Sequence, residues 1–179
     1  MNRLARDTQA AEIAELAVVL PILFTMIFAI FSFGRAYNVY STVTRGAEEG
    51  ARVAVTPVCA SCSPIICSGV NGQFPCDAAV AQAVTDVLAA SHLDPGQMSA
   101  RVPANSAQGG CLPPAAAAPT CTVASNVEIC RDVLLNTASN PPACGTVVSF
   151  SYHYQFLPIP FSTVQSIDIP ATAQLRVEY

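Results

Sequence analysis

The hydrophobic positions of this chain change their period along its length. From Ile13 to Phe33 they run nearly unbroken, as IAELAVVLPILFTMIFAIFSF, with Glu15 as the sole charge. A helix needs roughly 20 such residues to cross a bilayer core, so one membrane span is predicted over residues 13–33. Beyond Phe33 the apolar positions become one-sided: Ala36, Tyr40, Val43, Ala47, Ala51 and Ala54 recur at three- and four-residue steps, opposite Arg45, Glu49 and Arg52. No loop signal intervenes, and the same helix is expected to run on into water. Thr56-Pro57 should end it, because the residue before proline disfavours helical geometry. Ile13 to Val55 as one helix would measure roughly 65 Å at 1.5 Å per residue, about twice the bilayer core. Along it, Arg45 with Glu49 and Glu48 with Arg52 are spaced to pair across one turn.

Further on, Asp77 to His92 carries an apolar stripe of Ala79, Val80, Ala83, Val84, Val87 and Leu88, which predicts a second helix with Asp77 as its cap. The period then drops to two. Val148, Phe150, Tyr152, Tyr154 and Phe156 alternate with Ser149, Ser151, His153 and Gln155, and Ala171, Ala173, Leu175, Val177 and Tyr179 repeat the pattern. Two half-buried strands follow, joined through Leu157-Pro158-Ile159-Pro160, with weaker strands expected near Met98 to Val102 and Thr122 to Val127. The aromatic face of Tyr152 and Tyr154 reads as core rather than as a binding surface. The fold class is therefore α+β: a long N-terminal transmembrane-plus-amphipathic helix packed on a small antiparallel sheet, with one further helix and a disulfide-rich insert.

Composition narrows the function. The 179 residues are 52% hydrophobic and 11% charged, and the net charge is −4, so no excess of cations is available to neutralise nucleic-acid phosphates. All eight cations are arginine; without lysine there is no phosphate-loop lysine and no Schiff base. Ser91, His92 and Asp94 stand too close together in sequence to form a hydrolytic relay, and no GxSxG or HExxH motif is present. No enzyme and no cofactor is expected. Thirteen of the fourteen prolines follow residue 56, separating a helical first third from a loop-rich remainder.

All eight cysteines, Cys59, Cys62, Cys67, Cys76, Cys111, Cys121, Cys130 and Cys144, also fall in that remainder. Such density points to an oxidising compartment and to disulfides, whose 105 possible full pairings the sequence leaves open. Cys59-x-x-Cys62, followed by Cys67 and Cys76, has zinc-ligand spacing, but the compartment and the two histidines of the chain weigh against a metal. Arg3 and Arg6 before the span, against Arg35 alone after it, give a modest bias that leaves the N-terminus in the cytoplasm and every cysteine outside. A cleaved secretory signal fits poorly, since the apolar run is long, Pro21 interrupts it, and Phe33-Gly34-Arg35 is no small-x-small cleavage site. Pro21 should kink the helix, and Gly46 with Gly50 forms a small-xxx-small step for close packing, more plausibly on the chain's own C-terminal part than on another helix.

A greasy then amphipathic helix followed by a small domain is the build of type IV pilins and pseudopilins. At residue level, Ala14-Glu15-Leu16-Ala17-Val18-Val19-Leu20-Pro21 resembles the Val-Glu-Phe-Ala-Leu-Val-Leu-Pro stretch of the TadE-like family. Phe33-Gly34-Arg35-Ala36, Glu49-Gly50-Ala51-Arg52 and the closing Leu175-Arg176-Val177-Glu178 are similar to that family as well. The resemblance implies a minor pilin or pseudopilin of the tight adherence (Tad) apparatus, which assembles Flp-type fimbriae for surface attachment and biofilm formation. Its partners would be other pilin or pseudopilin subunits, the Tad assembly platform in the inner membrane, and a prepilin peptidase. In pilins a glutamate five residues after the leader cleavage point pairs with the N-terminal amine of a neighbouring subunit. Carried over, Glu15 is the pairing group and cleavage falls between Ala10 and Ala11, with Ala10 where such peptidases normally take glycine. The expected organisation is a cytoplasmic leader over 1–10, the long helix over 11–56 and an extracytoplasmic head over 57–179, whose Cys-rich region covers 59–144. The alternative is a membrane-anchored extracytoplasmic adhesin or envelope-binding protein that never enters a filament.

Overall fold

The structure is a computed structural model that describes residues 2–56, 75–101, 111, 119–136, 138, 143–155 and 166–176, with side chains from Ile13 onward. The chain divides into two compact units, Met1–Asn38 and Val39–Tyr179. Helix α1 runs from Asn2 to Val55. It starts well before the apolar segment because residues 2–12 hold no glycine or proline to stop it. Its C-terminal end falls where the sequence places it. The Thr56 amide donates to the Arg52 and Val53 carbonyls at 3.2 and 3.3 Å, and the Thr56 hydroxyl donates to Arg52 O at 2.7 Å, so the last turn does not leave those acceptors bare. The expected i,i+4 ion pairs give way to an i,i+3 contact, Arg52 Nη1 to Glu49 Oε2 at 3.9 Å.

The second unit is built on one five-stranded antiparallel sheet: β1 (Met98–Ala100), β2 (Thr120–Ala124), β3 (Val127–Asn136), β4 (Ala143–Gln155) and β5 (Ser166–Arg176). β4 is its spine, pairing with β5 from Gly145 to Gln155, with β3 over its first half and with β1 beyond that. The β4–β5 pairing follows the alternation in sequence, matching Phe150 with Ala171 and Val148 with Ala173. A Cβ at Gly145 would run into the Leu175 carbonyl oxygen and the Leu135 side chain, so the close approach of β5 there requires glycine.

The strand expected over Thr122 to Val127 is instead the tip of a hairpin. Ser125 and Asn126 both take positive φ, 46° and 64°, the two-residue turn whose twist matches that of the flanking strands. The chain then returns as β3, which the sequence reading did not separate. Asp132, also at positive φ (58°), marks a register shift between Cys130 and Val133.

Val39, Val43, Ala47, Ala51 and Ala54 of α1 are buried together with Val80, Ala81, Val84 and Leu88 of α2 (Asp77–Ala90) and Val127, Ile129, Val148, Phe150 and Tyr152 of the sheet. The α1 stripe is rotated at its start, where Val39 is buried and Tyr40 is exposed. Asp77 does not cap α2; the N-cap residue is Cys76, without a side-chain bond. At the other end His92 adopts φ 59°, and the Leu93 amide reaches back 2.9 Å to Leu88 O, a glycine-like close made by histidine. Asp94 caps the following single turn, Pro95–Gln97, by accepting from the Gly96 amide at 2.9 Å. Ser91, His92 and Asp94 thus serve the chain reversal, as their adjacency suggested.

Candidate functional site

Within the first unit, residues 13–31 are all exposed, including Leu16, Ile22, Phe24, Ile27, Phe28 and Ile30. An apolar surface facing outward on every side of a helix is the mark of a segment meant for lipid or for other helices, not for water. Among the described residues α1 is the helix long and apolar enough to cross a membrane once. Its few polar groups are handled locally. The Thr25 hydroxyl donates to Ile22 O at 2.8 Å, which satisfies it inside the helix. Pro21 sits inside α1, where its missing amide hydrogen leaves the carbonyl one turn earlier without its helical donor. Glu15 lies near the start of the apolar stretch, exposed, with Val18 and Val19 one turn ahead. Ala10 and Ala11 fall within α1, and their side chains lie outside the described residues.

Gly46 and Gly50 lie within the second unit, where α1 packs on α2 and β4. A Cβ on Gly50 would come 2.6 Å from Val84 Cγ2 and 3.4 Å from Val148 Cγ1. One on Gly46 would meet Phe150, Val84 and Leu88 only at ordinary contact distances, 3.7 to 3.9 Å. At Gly50 the approach of α2 leaves no room for a side chain.

Arg131 belongs to no motif singled out above. Its side chain, 11% exposed, reaches from β3 to the ends of both helices: Nε and Nη2 donate to Asp77 Oδ1 at 3.0 and 2.8 Å, Nη2 to Pro75 O at 2.8 Å and Nη1 to Ala54 O at 3.2 Å. Asp77 also accepts from the Thr122 hydroxyl of β2. One guanidinium thus ties the last turn of α1, the first turn of α2 and the β2–β3 hairpin. Its charge also suits the negative end of α1, and the Asp77 charge suits the positive end of α2. Only the spacing of charge across a hairpin that was itself unrecognised would have revealed it.

Cys111 is bonded to Cys144 and Cys121 to Cys130, and Cys76 is disulfide-bonded as well. Cys59, Cys62 and Cys67 lie outside the described residues. The disulfide at Cys76 removes one sulfur from the zinc spacing considered above. Cys121, Glu128 and Cys130 bring two sulfurs and a carboxylate oxygen within 4.8 Å of one another, but the bond between the sulfurs leaves no thiolate for a metal.

Glu128 is 4% exposed, on the sheet face opposite α1 and α2, with Ser149 across from it on β4. Burial pushes its carboxyl above the usual carboxylate range, and the Ser149 hydroxyl, 3.4 Å from Oε2, pulls the other way when its proton turns to the carboxylate. Burial likewise raises the Tyr152 phenol, while a hydrogen bond with the Asp94 backbone opposes the shift and the Asp94 charge adds to it. An open groove of about 420 Å³ lies between α1 and β5, lined by Glu48, Arg52, Thr172, Ala173, Gln174 and Leu175.

No curated protein and no solved structure matches the chain. Residues 10–52, which carry Glu15, Pro21, Gly46 and Gly50 on α1, match the family model described as TadE-like protein, the family that the motifs of this helix resemble.

Proposed function

We propose that the chain is a minor pilin or pseudopilin of a Tad-type pilus, working without catalysis by inserting α1 among like helices. The observation that carries this reading is the TadE-like match over residues 10–52 on a helix exposed and apolar on all sides from Ile13 to Phe31. Before assembly α1 spans the inner membrane, N-terminus in the cytoplasm, with the disulfide-bonded second unit outside. The bonded state of Cys76, Cys111, Cys121, Cys130 and Cys144 supports the oxidising side for that unit. During assembly the same helix moves from lipid to protein neighbours, which costs little because both are apolar.

Glu15 is the exception to that indifference. A carboxylate in an apolar helix is expensive unless it finds a partner. Cleavage between Ala10 and Ala11 creates one, an ammonium at the start of the helix, and pairing Glu15 of one subunit with that amine of the next sets their axial stagger. In this reading the protein joins or primes filaments used for surface adherence and biofilm formation.

Mass spectrometry of sheared surface filaments and of the inner membrane tests the proposal. The expected result is the protein in the filament fraction with Ala11 as its first residue, and Glu15→Gln retained in the membrane. Exclusive residence in the membrane, with filaments unchanged on deletion, would refute it in favour of a permanently anchored adhesin or envelope-binding protein.

A further inference from the structure

Cys121 and Cys130 stand directly opposite each other across the β2–β3 hairpin, their Cα atoms 4.0 Å apart, and they differ sharply in access. Cys121 is exposed on the outer strand, whereas Cys130 is 2% exposed. The strands do not depend on this bond for their pairing. The ladder from Thr120–Arg131 to Ala124–Val127 brackets it on both sides, and the Arg131 clamp holds the residue next to Cys130. The bond can therefore open without the hairpin coming apart.

A buried acid stands beside the inner sulfur. Glu128 Oε1 lies 3.9 Å from Cys130 Sγ. Disulfide sulfur carries no hydrogen, so a hydrogen bond here has to come from the carboxyl. The single carboxyl proton has a second acceptor in reach, the Ser149 hydroxyl oxygen, and can serve only one of the two at a time. The Ser149 hydroxyl has one proton and lies 3.0 Å from Arg101 O, which can only accept it. The 3.4-Å contact between Ser149 Oγ and Glu128 Oε2 is then a hydrogen bond only if the carboxyl supplies the proton. Among the described residues no cation bonds Glu128, and an ionised carboxylate at that depth would stand uncompensated.

We propose that the Cys121–Cys130 bridge is an exchange-active disulfide, opened by an external dithiol whose thiolate attacks Cys121 while Glu128 delivers the proton to Cys130. The attacking thiolate forms a bond to Cys121 Sγ, the Cys121–Cys130 bond breaks, and its electron pair leaves on Cys130 Sγ. Rotation of the carboxyl brings its O–H to that sulfur, the thiolate takes the proton, and Ser149 turns its own proton to the carboxylate left behind. The second thiol of the dithiol, as its thiolate, then attacks the mixed disulfide and releases Cys121 as a thiolate. The protein has gained two electrons and the dithiol is oxidised to its disulfide. A buried leaving thiolate is otherwise a poor one, since burial in apolar surroundings disfavours its charge. The partner is a thiol–disulfide oxidoreductase acting on the folded protein, and the inference stands whether or not the chain enters a filament.

The test is reduction of the folded full chain by dithiothreitol, quenched by alkylation and read bond by bond by mass spectrometry. Cys121–Cys130 should open at least tenfold faster than Cys111–Cys144, and a low concentration of glutathione should leave its mixed disulfide on Cys121. Glu128→Gln, nearly isosteric, should slow opening of the hairpin bond tenfold or more and leave Cys111–Cys144 at its wild-type rate. Ser149→Ala disturbs the same pocket but keeps the acid, and it should not slow opening. Equal slowing in both variants, parallel changes at both disulfides, an unchanged rate in Glu128→Gln, or glutathione on Cys130 would each overturn the proposal.

Discussion

Replacing Arg131 with methionine keeps most of its apolar stem and removes the guanidinium. Four hydrogen bonds go with it: two to Asp77, one to Pro75 O and one to Ala54 O. Asp77, whose side chain is 19% exposed, is left with Thr122 as its remaining partner among the bonds described above. Breaking a buried pair from one side costs about 3–5 kcal/mol, mostly from the charge that stays behind. Asp77→Asn removes that charge, so the double variant should lose less than the sum of the two single ones, with a coupling of about 1–3 kcal/mol. Urea unfolding of the full chain in detergent micelles measures both quantities. The signal should be the near-ultraviolet circular dichroism of Tyr152 and Tyr154, which sit in the sheet, because helix signal from α1 would mask the transition. A loss below about 1 kcal/mol for Arg131→Met, or strictly additive losses, would refute the clamp.

The same titration checks the helix contacts. Gly50→Ala should cost about 1–3 kcal/mol through overpacking against Val84 and be partly restored by Val84→Ala, whereas Gly46→Ala should be neutral or stabilising by up to about 1 kcal/mol. Glu128 binds its proton more tightly folded than unfolded, so its contribution to stability is fully present below the ordinary carboxylate range and is lost as pH rises through its raised folded value. Glu128→Gln should accordingly be more stable than wild type at neutral pH, with the advantage shrinking to nothing near pH 4, as read from melting temperatures across that range. Replacing Cys111 and Cys144 together by serine should cost about 3–4 kcal/mol, given their separation of 33 residues. The same change at Cys121 and Cys130, 9 residues apart and already held by a strand ladder, should cost clearly less when urea midpoints are compared. Equal costs would contradict the independence of the hairpin from its disulfide.

What could be read in the sequence follows the range of the physics involved. The apolar run from Ile13, the end of α1 at Val55, the α2 stripe and the β4–β5 alternation are local patterns, and each reappears in the structure. The β2–β3 hairpin escaped because its turn is Ser125-Asn126, without the glycine that usually marks such turns, and because both faces of β3 are buried, which erases alternation. Ser149 reads as a solvent-facing residue by alternation, yet it is fully buried, for its hydroxyl is bonded to Arg101 O. Asp77 looks like a cap because Asp often is one; Arg131, 54 positions away, claims it instead. The Gly46–Gly50 spacing is visible in the helix sequence, whereas the burial of Glu128 beside Ser149 and Cys130 is not, because it depends on strands that meet only in the fold.

The seam of Val43, Ala47, Gly50, Ala51 and Ala54 is occupied by the protein's own α2 and β4. Between Val39 and Val55 a sideways neighbour therefore meets a sector bearing Arg45, Glu48 and Arg52, all exposed, while from Leu16 to Phe31 it finds hydrocarbon at almost every azimuth. α1 thus offers two kinds of neighbourhood: promiscuous and crowdable along one stretch, selective by charge along the other. Were the proposed assembly to form, its lateral spacing would be set by the bulkier, choosier stretch, whatever the greasy one would tolerate.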